Sequence, residues 1–535
     1  MKRRSHQKNG PPPSNGMASL HDRRLLDPFD AAFAQQRPFG DSAYLHEQLH
    51  VRYGARLRKL SEAMPVAGEL LRALDQAPPL SQHRIIGDPV VRHAAHQALC
   101  HVSSGAQDGL ALAESEEVFR ETLAHLEAGN RGGPLESGEV DGRRLGAEPW
   151  HAAVWSEEHR DDVFGRSFRR IVRDHFGGEP VSTASAADIA KLARGAKLLS
   201  ALLPLCSQSV FSHTHMVVIV PHVGSWKRRA SYSEFRMSGI VFLNRDMLGN
   251  PWWVAEHLLH ESLHQKLYDF RHTHSLMAED LSPDTPPKDD AAAVFSIWNV
   301  GGAARSNAWD TFRAVAAFHV YVHLAVLCVQ ADLRKTELVN RFGAPDASFP
   351  AMTQRRDAFE RAQYLARHIK ASCWRELGLA GRLFVDWLIS ILNAIDSAPP
   401  PPETLYLHLL LNRYLVEAIM VSNSKLSADL TAQLLKVVDD EMDTVRRVLL
   451  AIDADGPNLN RLEGAGARRP GEGAEAAFLR FRNLVARILL TLSPDGYGLR
   501  RASSAESTAT VEKMIQAMVD RSSQHLIPVL AGSPQ

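Results

Sequence analysis

Only one part of this chain has the texture of a β-sheet, and that limits what it can fold into. His215 to Pro221 (HMVVIVP) and Ser238 to Leu243 (SGIVFL) are short and rich in β-branched residues, as strands are. They predict a small sheet of three or four strands. Almost everywhere else apolar residues recur at spacings of three and four, the period of an amphipathic helix. Tyr44 to Leu60, Val90 to Cys100, Glu114 to Leu126 and Ala186 to Leu203 show it upstream of the strands. Downstream, helices are expected over 354–376, 380–395, 403–421, 426–451, 475–493 and 508–521, with a Gly-rich break at 455–473. The expected fold is mainly α with a small central α+β element. Its organisation is a disordered tail (1–22), an N-terminal helical region (23–180), a core (181–340), a C-terminal helical region (341–500) and a final helix and tail (501–535).

Charge and cysteine content narrow the setting. Lys plus Arg equals Asp plus Glu at 61 each, which gives no electrostatic footprint for nucleic acid or an anionic membrane. The four cysteines are scattered without a CxxC pair, which fits a reducing compartment and not a disulfide framework. The basic start MKRRSHQKNG is followed by no apolar core, so it does not read as a secretory signal. Ala314 to Val329 is the nearest approach to a membrane span, but it is short and holds two histidines. A cytoplasmic protein is expected.

The chemistry sits just after the second strand. Asn250-Pro251 is a strong helix start, a capping side chain followed by proline at the first helical position. The helix should run to about Phe270 and carries His260-Glu261-Ser262-Leu263-His264, an HExxH motif. Residues four apart share a helix face, so both imidazoles can reach one divalent metal. Glu261 is placed to act as a general base or to hydrogen-bond a ligand on the metal. Neighbouring His257, His272 and His274 read as supporting or surface residues.

A metal site open to substrate needs a third protein ligand. Glu279 and Asp280 follow Glu261 at a distance that suits a zinc peptidase. His319 and His323 lie four apart in the apolar helix expected from Trp309 to about Leu333. The shorter extended pattern HExxHxxGxxH is absent, because Leu267 and Phe270 occupy the glycine and third-histidine positions.

The stretch SGIVFLNRDMLGNPWWVAEHLLHESLHQKLYDF (238–270) resembles the core of the HExxH-motif peptide-modification proteins, and WDTFRAVAAFHVYVHLAVL (309–327) resembles their second signature. IIGDPVVRHAAHQAL (85–99) is a weaker match to their N-terminal part. The resemblance implies an iron(II)- and 2-oxoglutarate-dependent hydroxylase acting on side-chain β-carbons of a ribosomally made precursor peptide. It further implies that His260, His264 and a third histidine, His319, hold the iron, and that a cation such as Arg313 pairs with the 2-oxoglutarate carboxylate. The chain departs from the family in having Ile297-Trp298-Asn299 and Ala308-Trp309-Asp310 before the second helix, where Pro-Trp-Arg and Arg-Pro are usual. His323 and Glu279 stay open as alternative ligands. A zinc-dependent HExxH metallopeptidase is the alternative function, and a helical binding protein with a structural metal site is the second alternative.

Overall fold

The computed structural model describes residues 26–492, apart from 105–109, 137–142, 157–160, 179–180, 225, 227–228, 280–291, 300–306, 346–352, 401, 423–426, 453–455 and 467–468, together with a few residues between 515 and 526. The expected tail at 1–22, Asp280, and most of the helix expected over 508–521 lie outside the described residues.

The architecture is mainly α around one mixed sheet. Six helices come first: α1 (Asp27–Gln35), α2 (Ser42–Leu60), α3 (Pro65–Gln76), α4 (Pro79–Gly87), α5 (Pro89–Ser104) and α6 (Leu112–Glu127). A hairpin of β1 (Arg144–Ala147) and β2 (Trp150–Val154) follows, then α7 (Val163–Phe176), α8 (Ala186–Leu202) and α9 (Pro204–Phe211). Three strands come next, β3 (Met216–Val220), β4 (Ser231–Tyr232) and β5 (Ile240–Asn244). The long helix α10 (Pro251–Thr273) leaves the sheet here. After it come a small ladder of β6 (Ala293–Phe295) with β7 (Ala308–Asp310), then α11 (Thr311–Leu333), α12 (Lys335–Phe342) and α13 (Arg355–His368). The chain closes with α14 (Leu379–Ile395), α15 (Pro402–Ser422), α16 (Ala428–Ile452), α17 (Pro457–Gly466) and α18 (Ala474–Leu492).

The sheet has five strands in the order β1-β2-β3-β5-β4. The central pairs β2–β3 and β3–β5 are parallel, and both edges are antiparallel. Sequence patterning marks only β3 and β5. The hairpin carries no such mark because Trp150-His151-Ala152-Ala153-Val154 has one β-branched residue and its turn is Glu148-Pro149, so neither composition nor an Asn-Gly signal reveals it. The two residues of β4 are too few to show a period. Two helix assignments also shift. Trp309 belongs to β7, so α11 begins at Thr311, and α17 occupies part of the expected break at 455–473.

Side chains alternate across the sheet and divide the interior into two cores. Met216, Val218, Val220, Ile240 and Phe242 pack with α2 through α7 on one face. Val217, Ile219, Val241 and Leu243 pack on the other with α8 to α11 and the C-terminal helices. Strands from both the 23–180 and 181–340 regions therefore build one sheet.

Helix α11 is long and apolar enough to cross a membrane, but 78% of that apolar window is buried inside the fold. It is a core helix. All four cysteines are free, and three of them are buried.

Lys266, on the buried side of α10, ties the metal-motif helix to the first helices. Its ammonium donates to the carbonyls of Phe33 (3.0 Å) and Gly40 (2.6 Å) and to Ser209 Oγ (2.7 Å). Burial pushes its pKa down to about 8. Lys266→Met takes the donor from the buried Phe33 carbonyl, while Ser209 Oγ keeps Ser42 Oγ (2.6 Å) and the Gly40 carbonyl keeps Ser209 Oγ (3.4 Å), so it should lower stability by about 1–3 kcal/mol, the cost of one unmet buried acceptor. A urea midpoint that falls at unchanged slope would show this, and an unchanged midpoint would mean the clamp is dispensable.

Candidate metal centre

Local chemistry starts α10 as expected: Asn250 Oδ1 accepts from the Trp252 amide at 3.0 Å, with Pro251 at the first helical position. The helix is then pinned to the sheet. Gln265 accepts from the Gly239 amide (2.6 Å) and donates to the Ile240 carbonyl (2.8 Å), at the start of β5. Thr214 Oγ1 donates to Ser262 Oγ at 2.8 Å. With these buried residues facing the sheet, His260 and His264 are left half-exposed beside the β4 edge.

His260, Glu261 and His264 form one group whose ligand atoms all lie within 4.8 Å of one another. Glu261 is buried, and both its oxygens are engaged. Ser231 Oγ donates to Oε1 at 2.6 Å and Ser233 Oγ to Oε2 at 2.5 Å. Hydroxyl donors on each oxygen fix the direction in which the carboxylate points. Two imidazoles and one carboxylate fit a divalent transition metal, and as three donors they leave the rest of its coordination sphere open.

The walls are aromatic. The Tyr268 ring lies 6.2 Å from both His264 and Phe312, and Phe235 packs edge-on to Tyr268 at 5.5 Å. Burial raises the Tyr268 pKa well above the ordinary phenol range, so its hydroxyl stays protonated beside Ser233. His257 stacks on Trp253 at 4.0 Å, and its Nδ1–H donates to the Trp253 carbonyl at 3.0 Å. Burial, with His260 nearby, pushes its pKa down to about 3. One turn before His260, Glu256 accepts from the Thr353 amide at 2.6 Å and from its hydroxyl, anchoring α10 to the segment before α13.

The other expected site residues stand outside this group. His319 and His323 share a face of α11, but neither belongs to the metal group. The His323 ring stacks on Phe33 at 3.6 Å, and its Nδ1–H donates to the His319 carbonyl at 2.8 Å. His319 packs edge-on to Phe384 at 5.1 Å, with its Nδ1 lacking a hydrogen-bond partner. Glu279 is exposed, just beyond the bridge between Met277 and Leu377. Arg313 lies over the Trp309 ring at 4.8 Å, and its amide is capped by Asp310. His272 stacks on Phe235 and His274 on Phe270.

Two residues that hold Glu261, and one arginine outside the group, had no sequence signal. Ser231 and Ser233 reach Glu261 across 30 and 28 residues. Arg361, on α13, lies over Trp298 (5.7 Å) and Tyr321 (5.4 Å), donates to Tyr321 Oη at 3.3 Å, and has a buried Nε with no partner. Trp298 in turn meets Trp309 edge-on at 5.4 Å, which joins both arginines to one aromatic cluster.

No protein-family model matches this chain, and no curated protein matches it.

Proposed function

We propose that this protein is an iron(II)- and 2-oxoglutarate-dependent hydroxylase acting on side-chain β-carbons of a ribosomally made precursor peptide. The observation that carries this reading is the donor set, two imidazoles and one carboxylate within 4.8 Å. Two histidines, one carboxylate and open positions are the ligand pattern of non-haem iron(II) oxygenases. The resemblance of 238–270 and 309–327 to the peptide-modification proteins supports the same reading. Bound iron with 2-oxoglutarate supplies the oxidation of an unactivated carbon. The protein's own residues do the rest. His260 and His264 would hold the metal, and Ser231 and Ser233 orient Glu261 beside them. Tyr268, Phe312 and Phe235 wall off one side from water. The cosubstrate's far carboxylate needs a cation, and Arg313 and Arg361 are the two on the aromatic cluster. Arg361→Ala should raise the 2-oxoglutarate KM about tenfold, the loss of one charge-assisted hydrogen bond. An unchanged KM would shift the role to Arg313.

The placement of Glu261 beside both imidazoles also favours a second reading, a zinc peptidase with Glu261 as general base. One experiment separates the two. Protein purified without oxygen is assayed for bound metal, then given iron(II), 2-oxoglutarate and air, with His260→Ala as the control. Iron retention with succinate formation that disappears in His260→Ala is expected. Tight zinc, no succinate and hydrolysis of a peptide library would establish the peptidase instead, and no metal under either condition would sink both.

A further inference from the structure

The end of the sheet away from His260, Glu261 and His264 carries a second feature that the chemistry above does not use. In antiparallel pairs, residues alternate between facing their partner strand and facing away. The Val154 amide donates to the Arg143 carbonyl at 2.8 Å, and Leu145 pairs with Ala152 and Ala147 with Trp150. Residues 143, 145 and 147 therefore turn their backbone groups to β2. The N–H and C=O groups of Arg144 and Gly146 point outward from the edge, and among the described residues none of the four has a partner. An exposed edge of this kind is a template for another strand.

This edge opens into a groove of about 410 Å³. All four residues of β1 line one side. The other is the small-residue face of α8, with Ala193, Ala196 and Ser200. Lys197 and Arg341 also line it, and both are exposed. Among the described residues neither has a carboxylate within 4.0 Å. Arg341 only covers the Phe342 ring at 5.0 Å. Arg144 is compensated by Glu148 at 3.2 Å and Glu136 at 3.8 Å, which leaves Lys197 and Arg341. A chain of overall zero charge thus gathers uncompensated cations beside an unpaired strand edge.

We infer that the groove between β1 and α8 binds an extended acidic peptide segment, which adds to β1 as a sixth strand and sets its carboxylates against Lys197 and Arg341. Backbone pairing supplies the affinity in this mode, and the side-chain pockets supply the choice of sequence. Small residues on α8 leave room for side chains pointing down from the added strand, and the cations select against basic segments. The inference does not depend on the metal or on the reaction proposed for it.

The test uses the full chain and a fluorescein-labelled hexapeptide of alternating glutamate and alanine, followed by anisotropy at low salt. Three further probes are a lysine-alanine counterpart and two N-methylated versions, one methylated on every glutamate and one on every alanine. Saturable binding of the parent probe is expected, with none of the lysine peptide. One N-methylated version should bind at least tenfold more weakly while the other keeps its affinity, because only alternate amides face β1. Charge reversal at two exposed positions, Lys197→Glu with Arg341→Glu, should weaken the parent probe at least tenfold without lowering Tm. No saturable binding overturns the inference. So does binding indifferent to N-methylation, or binding indifferent to the charge reversal.

Discussion

Lowering the pH from 7.5 to 5 should unfold this protein. His46, His83, His215 and His323 are all buried. Burial, the largest influence on each, pushes their pKa values down: His323 to about 3, the other three well below the ordinary range. His46 and His83 stack at 3.6 Å, and His83 lies 5.1 Å from His215, so protonating one makes protonating the next harder. These groups stay neutral in the fold while their unfolded counterparts take up protons below about pH 6.5. The sign follows: the stability they permit is present above 6.5 and is lost as pH falls below it. Each costs about 1.4 kcal/mol per pH unit, or about 2 kcal/mol by pH 5, and four cost about 8 kcal/mol. That is comparable to the whole stability of a typical domain, about 5–15 kcal/mol. Thermal melts by circular dichroism between pH 7.5 and 5 should show Tm falling steeply below 6.5. A Tm at pH 5 within a few degrees of its value at pH 7.5 would disprove the account.

Removing the Asp269 charge should be about half as damaging. Asp269 is fully buried on α10, five residues after His264. Its Oδ1 accepts from Arg92 at 2.6 Å and its Oδ2 from His213 Nδ1–H at 2.6 Å. Burial alone would raise the carboxyl pKa, but Arg92 and His213 outweigh it and hold it well below the usual carboxylate range. His213 itself stays neutral, because burial outweighs the pull of the carboxylate. The pair joins α5 to α10 across 177 residues. Asp269→Asn leaves Arg92 as a buried cation without its counter-charge, a loss of about 3–5 kcal/mol. Asp269→Leu combined with Arg92→Met should recover much of it, since replacing both partners removes the stranded charge. Urea denaturation of the two variants checks both parts. A double variant no more stable than the single would show that the groups matter for more than their charges.

The metal-motif helix was legible because its causes are local. Asn250 and Pro251 cap their own first turn, and the four-residue spacing of His260 and His264 puts them on one face whatever surrounds them. Strands β3 and β5 were legible for a similar reason, since central parallel strands buried on both faces are continuous apolar runs. The same spacing rule placed His319 and His323 on one face of α11. Spacing says which residues share a face, not what that face meets.

What the sequence by itself determined is therefore the helix, its paired imidazoles and the central strands, each set by interactions within a few residues. Only the tertiary structure decided which groups meet across the chain. It brought Ser231 and Ser233 to Glu261, and put His323 against Phe33. It also made β1 an open edge by pairing β2 with β3. These contacts join residues tens to hundreds of positions apart, and no local periodicity encodes which of many apolar faces a helix will bury against.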